Sequence, residues 1–341
     1  MKEEDIYIGR CIQLAKKALG NTYPNPLVGA VIIHDGKIIG EGYHKKAGEP
    51  HAEINAINSV EVLSLLPEST IYVSLEPCAH FGKTPPCALK LKEIGFKKVV
   101  IGCRDSHGKV DGKGIEILKN AGIEVQSGIL EKECRDLNKR FFCFHEKKRP
   151  YIILKWAQSA DGFLDKDFLP TAIGNSLTKQ FVHQLRSEEH AILVGTNTAI
   201  VDNPSLTTRE IEGRNPTRIL LDFDLKVSKD SEIFNNEAPT LVFNQIKNEE
   251  IGNLKFIKIE KENLLQNLLQ KLYEEQIQSV IIEGGSYTLQ KFINENLWDE
   301  TIIIKNNELL VENGTKAPTF EGKLQYSKKF LDCDIEFYKN Y

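Results

Sequence analysis

The stretch from residue 50 to residue 87 constrains this chain more than any other. It reads PHAE at residues 50–53 and EPCAHFGKTPPC at residues 76–87. One imidazole, one carboxylate and two thiols stand there, at separations no single helix or strand can bridge. If they act together, the chain must fold back on itself after residue 53 and return before residue 78. Catalytic zinc commonly keeps three protein ligands and leaves the fourth tetrahedral position open, and a Cys, Cys, His set is a known form of that arrangement. The spacing therefore assigns His51, Cys78 and Cys87 as zinc ligands. Glu53 is left as a free acid/base group beside them.

A zinc ion lowers the pKa of a water toward ~7, but hydrolytic deamination also needs a group that carries a proton to the leaving ammonia. Nucleobase deaminases share H-x-E followed by P-C-x-x-C, in which the Glu is a proton shuttle and not a ligand. Here H-A-E and P-C match, but eight residues separate Cys78 from Cys87. Proline precedes each ligand, at Pro50, Pro77 and Pro86. Because Pro favours first turns, all three ligands are expected at helix starts, where backbone N–H groups favour thiolates. Two readings compete: a structural zinc, which would use four protein ligands, and an accidental neighbourhood of core thiols and a core histidine.

At 341 residues the chain is long for one core, so two domains are expected. The run Glu146-Lys147-Lys148-Arg149-Pro150 marks the boundary, giving domains 1–149 and 150–341; the end of a solvated helix is the other reading of that run. The first 149 residues carry 23 Lys and Arg against 19 Asp and Glu, and the remainder 21 against 29. The first half is thus mildly basic, which suits a small phosphorylated substrate and falls short of the basic stripe of a nucleic-acid-binding surface. No apolar run approaches the ~20 residues of a membrane span and the first residues lack a signal-peptide core, so a cytoplasmic protein without membrane contact is expected. Seven cysteines, with Cys11, Cys103, Cys134, Cys143 and Cys333 outside the motif, fit thiols packed in a reducing compartment.

The periodicity predicts an amphipathic helix over 4–19 and a hairpin around Asp35-Gly36. Next come a helix opened by His51, a strand delivering Cys78, a helix from Cys87, the strand KKVVIG, a helix near 114–121, the strand EVQSG and a helix over about 130–145. Beyond Pro150 the alternation resumes: YIILKWA, a helix through QFVHQLRSEE, AILVG, TRILLD, TLVFN, FIKI, a helix near 262–274, SVIIEGG, a helix near 286–296 and ETIIIK. This is a second α/β domain. In SVIIEGGSYTLQKFI a buried strand runs into Gly284-Gly285-Ser286 and a helix, either a phosphate-binding turn or a tight structural one. The dinucleotide fingerprint G-x-G-x-x-G is absent.

The wording of residues 77–87, PCAHFGKTPPC, with TYPNPLVG at 22–29 upstream, resembles the deaminase half of the bifunctional riboflavin-biosynthesis deaminase/reductases. The second half is similar to the same family through KWAQSADG at 155–162, VGTNT at 194–198, DNPSL at 202–206 and Glu283-Gly284-Gly285. The resemblance covers nearly the whole chain. It implies an α/β protein with an N-terminal cytidine-deaminase-like α/β/α domain and a C-terminal dihydrofolate-reductase-like α/β domain. The first would deaminate diaminohydroxyphosphoribosylaminopyrimidine with Zn2+; the second would use NADPH to reduce the ribosyl group of the aminouracil to ribityl. It further implies a homo-oligomer, dimer or tetramer.

By the same resemblance Asn25, His44 and Lys83 hold the pyrimidine or its phosphoribosyl tail. Lys155, Asp202, Arg186, Leu206, Arg209 and Glu283 lie near the reductase substrate, with Lys155 and Asp202 catalytic. Gln158, Thr198, Asp202, Gly284, Gly285, Ser286, Tyr287 and Thr288 lie near the cofactor. One stretch departs from the family pattern: where a Gly-x-Ser-x-Trp-Ile-Thr segment is usual, residues 169–175 read LPTAIGN, with Ala172 at the Trp position and Gly174 at the Thr position. A more weakly held nicotinamide is expected. The competing enzyme reading is a zinc deaminase of another nucleotide or of a tRNA adenosine, with an unrelated or inactive second domain.

Overall fold

The computed structural model describes residues 2–81, 85–106 and 110–340. Backbone contacts divide the chain into two compact units, Met1–Lys148 and Arg149–Tyr341.

In the first unit the elements are α1 (Glu3–Lys16), β1 (Gly29–His34), β2 (Lys37–Tyr43), α2 (Ala52–Asn58), β3 (Thr70–Leu75), α3 (Cys87–Ile94), β4 (Lys98–Cys103), α4 (Lys113–Asn120), β5 (Glu124–Ser127), α5 (Glu131–Leu137) and α6 (Lys139–Lys147). The sheet order is β2-β1-β3-β4-β5. The β1 pairings with β2 and β3 are antiparallel, and β3, β4 and β5 run parallel. Alternation along β1 makes the layers: Val31 and Ile33 pack with Ile8, Cys11 and Ile12 of α1 and Phe142 of α6, while Ala30 and Ile32 pack with Ala52 and Ala56 of α2, Leu91 of α3 and Leu118 of α4. The result is an α/β/α sandwich. Its first helix has Glu3, Glu4 and Asp5 in the first turn and Lys16 in the last, charges that suit the helix dipole.

The helix expected over 130–145 is two helices. Asn138 stands at the break, where its amide accepts the Leu27 N–H at 2.8 Å and donates to the Leu27 carbonyl at 2.9 Å. The first helix stops at Lys16, short of the expected residue 19, and its chain leaves through turns to Gly20, whose φ is +86°.

In the second unit β6 (Tyr151–Gln158), α7 (Ser176–Glu188), β7 (Ala191–Gly195), α8 (Thr196–Asp202), β8 (Thr217–Leu221), β9 (Thr240–Asn244), β10 (Glu249–Ile251), β11 (Leu254–Lys258), α9 (Leu264–Glu274), β12 (Ser279–Ile282), α10 (Ser286–Asn294), β13 (Glu300–Asn306), β14 (Lys323–Phe330) and β15 (Cys333–Lys339) follow. They form one ten-stranded sheet, order β10-β11-β9-β8-β7-β12-β6-β13-β15-β14. Seven neighbouring strands from β11 to β13 are parallel, and β15 and β14 close one edge antiparallel. Strands β10, β14 and β15 and helix α8 were not expected from the sequence. The β14 strand is polar and exposed along nearly its whole length, so it carries no buried stripe to mark it. All seven cysteines are free thiols, and the five outside the motif are buried. Among the described residues no helix is long and apolar enough to cross a membrane.

Candidate active sites

In the first unit two helix starts and one strand end converge. His51 is the N-cap of α2, Glu53 lies in its first turn, and Cys87 opens α3. The third ligand, Cys78, does not start a helix: it stands in the loop after β3. The end of α3 still serves it, because the Cys87 N–H donates to the Cys78 sulfur at 3.2 Å. His51 Nδ1 lies 3.5 Å from Cys78 Sγ and 3.4 Å from Cys87 Sγ, and all three donor atoms lie within 4.8 Å of one another. A tetrahedral ion ~2.3 Å from sulfur and ~2.1 Å from nitrogen would set S-to-N separations of about 3.6 Å. The donors therefore stand where zinc needs them, two soft sulfurs and one imidazole, the three-ligand set of a catalytic site. The Cys87 thiol, the His51 ring and the Cys87 N–H all bond the Cys78 sulfur, which holds that thiol below its ordinary range, while Cys87 is held well above it by sharing the proton.

Glu53 is only 3% exposed. Burial, and next the Cys78 charge, push its carboxyl up to about 7, so near neutral pH it can both take and give a proton. His44, just beyond β2, is buried and stacks edge-on to His51 with ring centres 5.2 Å apart. Its Nδ1 faces the Pro50 carbonyl at 3.2 Å and its Nε2 faces Asn25 Nδ2 at 3.0 Å. Those partners fix a neutral ring, with Nδ1–H donating and Nε2 accepting, and burial lowers the pKa in the same sense. Asn25 and His44 thus sit together beside the ligands, whereas Lys83 lies outside the described residues.

In the second unit a cavity of about 970 Å³ opens at the carboxyl ends of β6, β7, β8 and β12, where open parallel sheets bind ligands. Lys155, Arg186, Thr198, Asp202, Leu206, Glu283, Gly285, Ser286, Tyr287 and Thr288 all line it. At its floor Glu283 meets two cations: Arg186 Nη2 at 2.9 Å and Lys155 Nζ at 3.5 Å. Burial alone would raise the Glu283 carboxyl, but Arg186 and Lys155 together overcome it and hold it down at about 2. Burial lowers Lys155. Asp202, at the end of α8, is raised by burial first and by the Asp165 charge second.

Gly284 lies outside the cavity lining: a Cβ there would stand 2.5 Å from the Val194 Cα, so its glycine serves the packing of the turn on β7. Gly285 has φ +43° and leads into α10, with its face toward Thr198. Two other predicted residues, Gln158 and Arg209, are not among those lining the cavity. Gln158 accepts the Trp156 indole N–H at 2.7 Å, and Arg209 donates to Ser205 Oγ at 3.0 Å. Ala172 is exposed on the cavity wall beside Pro170, Thr171 and Ile173. Sequence reasoning passed over Asp165 and Phe168, which line the same wall, and Glu76, the residue just before Pro77-Cys78. For the last the sequence carried no signal beyond an acid between an apolar run and Pro77-Cys78.

The two units thus define a class: a cytidine-deaminase-type zinc domain and an α/β reductase domain on one chain. Residues 1–103 match the cytidine and deoxycytidylate deaminase zinc-binding region, and residues 150–325 match the RibD C-terminal domain. The riboflavin biosynthesis protein RibD of Aquifex aeolicus is 43% identical over 309 residues, covering 87% of this chain and 85% of that one. The RibD of Escherichia coli is 32% identical over 351 residues, covering 94% and 92%. Among solved structures, a diaminohydroxyphosphoribosylaminopyrimidine deaminase/5-amino-6-(5-phosphoribosylamino)uracil reductase from Thermotoga maritima superposes with a TM-score of 0.91 at 35% identity, covering 98% of each chain. The chain belongs to the RibD family, the bifunctional deaminase/reductases of riboflavin biosynthesis.

Proposed function

We propose that the first unit hydrolyses the amino group of diaminohydroxyphosphoribosylaminopyrimidine and that the second uses NADPH to reduce the ribosyl group of the resulting aminouracil to ribityl. The observation that carries the first step is the His51, Cys78, Cys87 donor set with Glu53 buried beside it. Zinc held by those three donors supplies the Lewis acid that makes a water nucleophilic near neutral pH. Water adds to the ring carbon bearing the amino group, Glu53 takes its proton and delivers it to the nitrogen, and ammonia leaves. Asn25 presents a donor and an acceptor to the base edge, held in place by the neutral His44. Lys83 is assigned to the phosphoribosyl tail by its charge.

For the reduction, NADPH supplies the hydride, and the turn from Gly285 to Thr288 with Thr198 is the place for it. Gly284 shapes that turn, and Gln158 is assigned nearby. Arg186, Leu206, Arg209 and Glu283 are assigned to the substrate. Lys155 and Asp202 face the cavity as the groups able to deliver the proton that must accompany the hydride. The free, mostly buried thiols suit a reducing compartment such as the cytoplasm, and a homo-oligomer, dimer or tetramer, is assigned by the family resemblance.

Incubation of the purified, zinc-loaded protein with the diaminopyrimidine phosphate tests the reading. Without NADPH the aminouracil is expected to accumulate; with NADPH the ribityl compound is expected. No ammonia release from this substrate would overturn the first assignment, and deamination without any NADPH oxidation would overturn the second.

A further inference from the structure

Glu76 lies between β3 and the ligand Cys78 and is only 3% exposed. Its side chain points at the loop that leads into α4. Oε1 accepts the N–H groups of Gly114 at 3.0 Å and Ile115 at 3.2 Å, and Oε2 accepts those of Gly112 at 3.1 Å and Asp105 at 3.3 Å. Three of those donors belong to the first turn of α4 or its cap, where N–H groups have no partner within the helix and the dipole favours an anion. The main chain of the same residue is pinned as well, its N–H donating to the Cys103 carbonyl at 3.0 Å. One residue further on, the Pro77 carbonyl presses on Gly114: a Cβ there would stand 2.1 Å from that oxygen, so only glycine permits the approach.

We infer that Glu76 is a positioning residue for the metal centre: its carboxylate locks the loop carrying Cys78 onto the N-terminus of α4, so that the Cys78 sulfur is held at zinc-binding distance before any ion arrives. The inference rests on the zinc reading of the site. A flexible loop would have to give up its freedom at the moment of binding, whereas a pinned one has already done so, which favours affinity. The carboxylate is required, because each oxygen receives two N–H donors. Glutamine would turn its own NH2 group toward two of them.

Glu76→Gln tests this, with Zn2+ titrated against a chelator of known affinity and Co2+ used as a spectroscopic stand-in. Removing a partner that orients a metal ligand typically weakens binding 10–100-fold, and about 10-fold or more is expected here, together with a changed Co2+ ligand-field spectrum. Asn138→Ala, which loses two hydrogen bonds elsewhere in the same unit, is the control for general loosening and is expected to keep zinc affinity. Wild-type zinc affinity and an unaltered Co2+ spectrum in folded Glu76→Gln would overturn the inference, as would an equal loss of affinity in Asn138→Ala. Should Glu76→Gln fail to fold, Glu76→Asp keeps the charge on a shorter arm: weakened zinc binding supports the inference, and full affinity with an unaltered spectrum overturns it. Failure of wild type to bind zinc at all would instead remove the zinc reading itself.

Discussion

Replacing Glu283 by glutamine keeps the shape of the side chain and deletes the anion that pairs with both Lys155 and Arg186. All three side chains are nearly buried, at 10%, 12% and 11% exposed. The carboxyl is held at about 2 instead of its ordinary 4.5. At about 1.4 kcal/mol per factor of ten, that difference makes the ionised form worth about 3 kcal/mol at neutral pH. Breaking a buried ion pair from one side independently suggests ~3–5 kcal/mol, because the remaining charge is stranded.

Both tryptophans, Trp156 and Trp298, fall in the second unit, so urea unfolding of the whole chain followed by tryptophan fluorescence reads that unit selectively. A loss of about 3 kcal/mol at pH 7 with an unchanged denaturant slope is expected. Because the folded-state pKa is depressed, the wild-type advantage is fully present above about 4.5, shrinks as pH falls, and is gone near 2. In the variant, Lys155 loses the Glu283 charge that opposed its burial, so its pKa drops further and stability recovers as pH rises toward 10. A destabilisation under about 0.5 kcal/mol at pH 7, too small for a named buried mechanism, or a gap independent of pH, would refute the idea that the two cations depend on this carboxylate.

Glu53→Gln, which cannot carry the proton, should slow deamination by at least ~100-fold while zinc content and reduction of added aminouracil persist; near-normal ammonia release would remove Glu53 from the mechanism. Cys87→Ser should lower bound zinc well below about one per chain, and full occupancy by elemental analysis would mean the third ligand is elsewhere. Ala172→Trp adds an aromatic face to an exposed position on the cavity wall and should tighten NADPH several-fold, an aromatic contact being worth about 1 kcal/mol. Gly285→Asp should abolish NADPH binding and spare deamination, since it sets a Cβ 3.2 Å from Thr198 Oγ1 at φ +43° and adds a negative charge; unchanged affinity in both would place the cofactor elsewhere. Separate expression of residues 1–148 and 149–341 should give two soluble folded fragments, because each has its own sheet and core; two insoluble fragments would contradict the two-core division.

What the sequence determined by itself was whatever is written locally. The H-A-E turn places ligand and carboxylate on one helix start, the Asp35-Gly36 pair sets a hairpin through its positive φ values, and short apolar runs bounded by polar residues, prolines or glycines mark the parallel strands. Tertiary structure decided the rest, because pairings between distant residues leave no periodic trace. Cys78 gains a helix N–H only because α3 folds back onto its loop. Lys155, Arg186 and Glu283 converge from β6, α7 and the end of β12, and an Arg on a helix face reads alone as solvated. Asn138 splits a helix because its amide finds Leu27, 111 residues away. Gln158 and Arg209, assigned near the cofactor and the substrate by resemblance, gain the Trp156 indole and the Ser205 hydroxyl as partners, contacts that no sequence period announces. Glu76 looked like part of a strand until four N–H groups, one from the loop after β4 and three from the start of α4, gave its charge a place to be buried, a partnership that only folding could create.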